Sequence, residues 1–503
     1  MILLKFYVFI GLVILSTITH GQNTFSKSFD ITNHSDNGAK VFNVDTLLII
    51  HSLSFCHYPA LDFCTGIICT NLDGDLKWKI NTDSLGTSGN DAVLIDNDVI
   101  YIGVKNKHIS SQPLSMMSYD LEGNHLATTP ITADFNFPSI RSILKSENGW
   151  ILNITEHLTN IHRFTSLVWL DENFNFLEKK TYSDLTYHFW VQELIDLGED
   201  GFIAAGTYRT PEWSQEHSII KMDTAGNVAS SFRLPPPYAN GLTSLAVADD
   251  GNLIVSYPLY DFTIFPDFDR PYTIQKVTPD GEVLWRHIFY NLGPQTIAEF
   301  IIAENGDIVG AGTDYVDNGE TFDIHGHLFR MTQDGELLWQ KAIADYRYAQ
   351  LPISDFNNLT ELDNGDLVMT GYIEDTVANF NPVPSNEMLN TWLVRTDANG
   401  CLYESCEDIT QVVPNRNLAE ELNLFELWPT LTTSSAEIVP RGEVDGTSRW
   451  TMSVVNLAGQ LLQSMEVRRF PYTLTVTDYP PGIYFVRLKN RTGAFQMLKL
   501  VKM

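Results

Sequence analysis

One alternation, repeated along the middle of this chain, limits its fold more than any other feature. An apolar strand runs into a turn carrying Asn-Gly or Asp-Gly and returns as a second apolar strand. It does so at Leu194–Tyr208, Leu245–Tyr257, Phe300–Thr313 and Leu359–Tyr372, with weaker copies at Val93–Val104, Ile143–Ile154 and Val41–Ser54. Asn-Gly and Asp-Gly supply the positive φ angles of a tight hairpin, and the flanking alternation makes two half-buried strands. Between these copies lies a second pattern, a strand and turn followed by a strand that often carries Leu-Trp. It occurs at Cys69–Trp78, Met117–Leu126, Val168–Leu177, Ile220–Val228, Gln275–Trp285, Phe329–Trp339 and Val394–Leu402. Each pattern has seven copies, and the turn glycines Gly226, Gly281 and Gly335 stand 55 and 54 residues apart.

A repeat of this length with two hairpins makes one four-stranded sheet. Such sheets hide their faces and most of their edges when set radially in a ring. The predicted fold class is therefore all-β: a seven-bladed β-propeller over residues 22–405, with Trp78, Trp285 and Trp339 in the apolar layers between blades and the turn Asp and Asn bonded to their own loops. Units such as Val277-Thr278-Pro279-Asp280-Gly281-Glu282-Val283-Leu284-Trp285 resemble the repeats of bacterial propellers related to quinoprotein and WD-type families, and the aspartate box of sialidases. The full Ser-x-Asp-x-Gly-x-Thr-Trp box is absent, so the resemblance implies fold only.

Charge divides the chain. Residues 425–503 carry nine Lys/Arg and six Asp/Glu, net +3, which leaves −33 of the total −30 on residues 1–424. The step marks a boundary, with residues 406–423 read as a linker and 424–503 as a small sandwich. The tail strands are read at Leu424–Trp428, Ser448–Leu457, Gln460–Val467, Tyr472–Val476, Gly482–Lys489 and Phe495–Val501. Leu427-Trp428-Pro429-Thr430, the run Val455–Gln460 through Gly459, and the run Pro481–Leu488 through Gly482, Ile483 and Tyr484 resemble the type A C-terminal sorting domain of the Bacteroidetes type IX secretion system. Lys499 and Lys502 match that family's basic last strand, while Trp-Pro-Thr-Leu stands where the family usually has Tyr-Pro-Asn-Pro. The resemblance implies a partner, the outer-membrane export machinery, and a final location in the medium or on the outer cell surface.

The N-terminus agrees with that route. Lys5, the apolar run Phe6–Leu15 and the small residues of Thr19-His20-Gly21 predict a signal peptide over residues 1–21. Its apolar run is too short for a bilayer anchor, and no later segment reads as a membrane span. The strong negative charge excludes the cationic face that a nucleic-acid partner requires.

Five cysteines in an exported chain predict disulfides. Cys401 and Cys406 are the expected pair, and any two of Cys56, Cys64 and Cys69 can bridge, with one thiol available to tie the first blade to the last. Among candidate ligands, His325-Gly326-His327 is the one His-x-His; on a strand both rings share a face, as a metal pair or as two exposed imidazoles at a blade edge. Asp261, Asp267 and Asp269 lie in an aromatic-rich insertion, either a carbohydrate site or a loop packed on itself. No cofactor is predicted; calcium has weak support from the acidic loop near His325. No nucleophile elbow, zinc-protease helix, phosphate loop or dinucleotide fingerprint occurs, and no catalytic residue is assigned. The leading expectation is a secreted or surface-displayed binding module for a glycan or protein. The alternatives are a polysaccharide-degrading or quinoprotein-like enzyme with its site at the propeller centre, and a structural component of a surface adhesion or gliding assembly.

Overall fold

The computed structural model describes residues 24–32, 35–57, 62–82, 92–105, 114–135, 138–157, 163–182, 188–209, 215–234, 244–258, 272–289, 296–317, 322–345, 353–374, 389–402, 425–441, 450–456, 461–490 and 495–503. The proposed signal peptide and linker lie outside them.

Among the described residues, seven four-stranded antiparallel sheets precede the tail. Sheets one to six are each continuous in sequence, and each joins the two hairpin patterns in order, as the repeat predicts. First strands of neighbouring sheets touch one another, as Thr296–Ile302 does with both Ser244–Val247 and Ser354–Glu361, so they are the innermost strands. Every interface between consecutive sheets has its own apolar cluster. One more cluster joins Val41, Leu48, Ile50 and Ile68 of sheet one to Leu362, Val368 and Leu393 of sheet seven, and this closes the ring. The ring is a β-propeller.

Sheet seven departs from the sequence reading. The repeat puts the fourth strand of this sheet after the turn at Gly400. That place is taken by Phe25–Phe29, whose residues pair antiparallel with Leu389–Thr396, Phe25 opposite Arg395. Closure thus comes from the N-terminal strand. The seam is densely bonded: Trp392 Nε1 donates to Ser26 Oγ at 2.9 Å, Ser52 and Thr391 hydroxyls lie 2.7 Å apart, and Lys27 pairs with Asp75 at 2.7 Å. Arg395 holds Asp366 at 2.7 Å and donates across the seam to the Leu72 carbonyl at 2.7 Å. Asp36 accepts from Ile31 N at 2.5 Å and Thr32 Oγ1 at 2.9 Å, pinning the passage from the closing strand into sheet one.

The turns between third and fourth strands repeat one bond scheme. Asp120, Asp171 and Asp223 each accept from the backbone N–H four residues on, at 2.7–2.8 Å, and Asp171 also accepts from Asn173 N, two residues on, at 2.8 Å as in an Asx turn. Each turn also meets the preceding sheet. A Cβ on Gly335 (φ +88°) would fall 2.7 Å from the Trp285 ring, and Trp285 Nε1 donates to the Gln333 carbonyl at 2.8 Å. Trp78 covers Gly123, Phe232 covers Gly281, Trp339 covers Gly400, and Phe25 covers Gly74 across the closing seam. The three repeat tryptophans therefore sit between sheets, as expected, and each clamps the next sheet's turn.

The tail is a separate two-sheet sandwich, three strands against five. Phe425, Leu427, Ile438 and Leu474 from one sheet bury against Trp450, Met452, Val486 and Leu488 from the other. The sequence reading had missed Ser435–Pro440, which pairs with both Phe425–Trp428 and Tyr472–Thr475.

Candidate functional site at the loop-bearing end of the ring

Antiparallel order sends the short turns, first to second strand and third to fourth, to one end of the ring. The longer connections leave from the other end, where the inner strands begin. Five of the seven inner strands carry a bulge close to that beginning, between Gly38 and Lys40, Ile140 and Ser142, Val191 and Glu193, Ile297 and Glu299, and Phe356 and Asn358. A bulge leaves one residue without a cross-strand partner and re-aims its side chain. The residues so released include Arg141, Gln192 and Asn357. Arg141 lies 4.7 Å over the Trp190 ring, and Asn357 Nδ2 donates to the Asn37 side chain at 2.5 Å and the Gly38 carbonyl at 3.0 Å.

Strand-internal glycines make room for three of these bulges. A Cβ at Gly206, Gly312 or Gly371 would lie 2.2, 2.0 or 1.9 Å from the inner-strand carbonyl of Trp190, Thr296 or Asp355. These glycines occupy one place in the repeat, so this feature was visible in the sequence: an isolated glycine inside a strand signals a bulge or close backbone approach.

The most polarised group at this end lies on the seam between sheets six and seven. Asp355, just before the Asn357 bulge, accepts from Thr313 Oγ1 at 2.5 Å, and Thr313 in turn accepts from Thr296 Oγ1 at 2.9 Å. Tyr372 stands directly opposite Asp355 on the neighbouring strand, and Tyr315 follows Thr313 by two residues. All three of Asp355, Tyr315 and Tyr372 are half-buried. Burial pushes the Asp355 carboxyl up to about 6, against the lowering bond from Thr313. Burial and then the nearby Asp355 charge raise both phenols, with Tyr315 adding to the effect on Tyr372. The phenols therefore stay protonated as donors, while the carboxyl changes state near neutral pH. Sequence reasoning missed this group because Tyr315 comes from a different sheet, 40 and 57 residues before Asp355 and Tyr372.

The candidates named from sequence fall elsewhere. His325 and His327 lie on Phe322–Met331 and share a face, but they are buried, at 4% and 1% exposure, and not at an open edge. Sheet five covers them: Phe289 meets the His327 ring edge-on at 5.7 Å, with Phe329 on its own strand also at 5.7 Å. Burial holds the His327 imidazole below its ordinary value, opposed by Asp314 and Gln340. Asp314 is paired across from His325, and among the described residues no three His, Cys, Asp or Glu gather as a metal site. Asp261, Asp267 and Asp269 lie outside the described residues. Cys401 is buried, while Cys406 lies outside the described residues. Cys69 is a buried free thiol, which removes it from the pairings considered for the first sheet; burial pushes it up to about 11.

In the tail, Tyr484 is buried and donates to the Pro480 carbonyl at 2.5 Å, closing the turn before Gly482 and Ile483. Pro429 follows the exposed Trp428, Lys499 is exposed, and Lys502 Nζ donates to the Thr433 carbonyl. Gly459 lies outside the described residues.

Residues 432–503 match the family described as the secretion system C-terminal sorting domain. The chain thus carries a type IX sorting domain beside a β-propeller, which implies secretion to the cell surface or outside. No helix among the described residues is long and apolar enough to cross a membrane. No curated protein matches the chain. Solved structures similar to it include polysaccharide lyase Uly1 (11% identity, TM-score 0.44, 76% of this chain and 94% of that one). The endosialidase of phage phi92 is another (9%, 0.42, 95% and 88%), as is the alpha-L-arabinanase of Penicillium chrysogenum complexed with arabinobiose (11%, 0.38, 75% and 98%). Likeness at this depth assigns the chain no activity.

Proposed function

We propose that the protein is a binding module, exported by the type IX system and released or displayed outside the cell, which holds a glycan or protein ligand at the loop-bearing end of its ring. The observation that carries this reading is a sorting domain at residues 432–503 behind a ring whose longer connections all leave from one end. Loops on a rigid scaffold are where binding residues concentrate. A second reading, an extracellular polysaccharide-degrading enzyme, has Asp355 in its favour, since a carboxyl near 6 exchanges a proton close to neutral pH. A polysaccharide array probed with the purified full chain, scored for both retention and cleavage, separates the two. Retention without new chain ends supports the binding module; cleavage replaces it with the enzyme; neither result on glycans, with capture of a protein ligand, narrows the module to protein recognition.

A further inference from the structure

We propose that Asp355, Tyr315 and Tyr372 form a carbohydrate-binding subsite at the loop-bearing end of the seam between sheets six and seven. This rests on the reading of the ring as a ligand-binding module and names the ligand class and the contacts.

A sugar ring offers hydroxyls that donate and accept, and a C–H face that packs on aromatic carbon. A site for it needs an anionic acceptor, neutral donors and aromatic surface, held rigid so that little ordering entropy is lost on binding. The seam supplies each. The Asp355 carboxylate has about four lone-pair sites, and the bonds from Thr313 at 2.5 Å and from the Phe356 backbone occupy two of them. The two phenols keep their protons and so remain donors as well as aromatic surface. Rigidity comes from the chain Thr296 to Thr313 to Asp355, and from the Asp355 carbonyl seated on Gly371.

Position favours the same conclusion. Asp355 and Tyr372 are cross-strand partners at the end of sheet seven where an inner strand begins and a second strand ends, so both lie close to the end from which the connections leave. None of the three is sealed in the core. A carboxyl buried between two sheets for a purely structural role needs a paired cation to offset its desolvation, as Asp366 has in Arg395. Asp355 instead meets two phenols and a threonine with no cation among the causes of its shift, an arrangement that leaves capacity for hydroxyl donors from outside.

The test uses the full-length protein and short neutral and uronic-acid oligosaccharides as probes, with affinity measured by calorimetry for whichever probe the wild type retains. Asp355→Asn is expected to weaken binding at least tenfold, and Tyr372→Phe and Tyr315→Phe about threefold to tenfold each, the size of one lost hydrogen bond. Tyr372→Phe keeps the ring and the packing, so it reports on the hydroxyl even if the Asp355 variant folds poorly. Wild-type affinity in all three variants, for an oligosaccharide the wild type holds, overturns the subsite and leaves the binding module standing. Retention of no oligosaccharide by the wild type overturns the subsite too, and leaves the ring only a non-carbohydrate ligand.

Discussion

Phe174 shows how strictly the ring enforces its turn contact. In sheet three it occupies the place that glycine takes in the other six turns, with φ +63°, a conformation costly for a side chain of this size. The preceding sheet's outer strand, His125–Ile131, has no aromatic to offer, and Phe174 supplies one from the other side, its ring 5.0 Å from Trp150 and 5.7 Å from Tyr101. The aromatic is needed at each seam; which sheet provides it is negotiable. Trp285→Ala should therefore cost about 2–4 kcal/mol and Trp285→Phe about 1 kcal/mol for the lost N–H bond, both read as shifts in the chemical unfolding midpoint. At Asp36, burial pushes the carboxyl from 3.8 up to about 6. The folded state then holds this proton more tightly than the unfolded chain. The resulting stability is complete below pH 3.8 and is lost as pH rises through about 6, on the order of 3 kcal/mol from a shift of about two units. Asp36→Asn keeps an acceptor for Ile31 N without the charge. Its melting temperature should exceed that of the wild type at pH 7.5 and converge with it below pH 4; an equal offset at both pH values would refute this account.

At the scale of strands, local chemistry was legible and long-range pairing was not. Asn-Gly and Asp-Gly turns announce hairpins within a few residues, and this placed the strands of sheets one to six. The closing strand Phe25–Phe29 has no turn beside it and finds its partner more than 360 residues away, so nothing near it in sequence marks it as a strand of sheet seven. The polar group around Asp355 escaped for the same reason, whereas the glycines that permit it, Gly206, Gly312 and Gly371, recur in register and were readable. His325 and His327 are read from sequence as a metal pair or as exposed imidazoles, because sequence shows which face two side chains share, not what covers that face. The double change Phe25→Ala and Ser26→Ala should loosen the seam, removing the cover over Gly74 and the acceptor of Trp392 Nε1. Hydrogen exchange is expected to rise first in Phe25–Phe29 and Leu389–Thr396, with sheets three and four unaffected at short times. The disulfide expected between Cys401 and Cys406 closes a loop of four intervening residues, stabilising by only about 2 kcal/mol. Peptide mapping of the non-reduced protein should recover the two joined; two free thiols would dismiss the pairing.

For the whole molecule, the charge step and the separate cores of ring and tail describe two units with different tasks. The tail core draws only on residues 425–500, and no ring residue enters it. Removing residues 425–503 should leave the ring's melting temperature within a degree or two of the full chain. The truncated protein should accumulate in the periplasm, while the full chain reaches the surface or medium. Fractionation with immunoblotting distinguishes these outcomes, and normal extracellular levels of the truncated form would remove the sorting role from this domain.

The swap of the first strand into the last sheet also sets a timetable. A ring whose earliest-made strand must wait for its latest-made sheet remains an open arc for nearly the whole of its synthesis and transit. Bringing ends so far apart together is slow, because loop-closure entropy is spent before the contacts form. The sorting domain follows every strand of the ring in the sequence. A chain cut short before sheet seven therefore lacks its export label as well. The order of segments ties the export label to chains long enough to contain every strand of the ring.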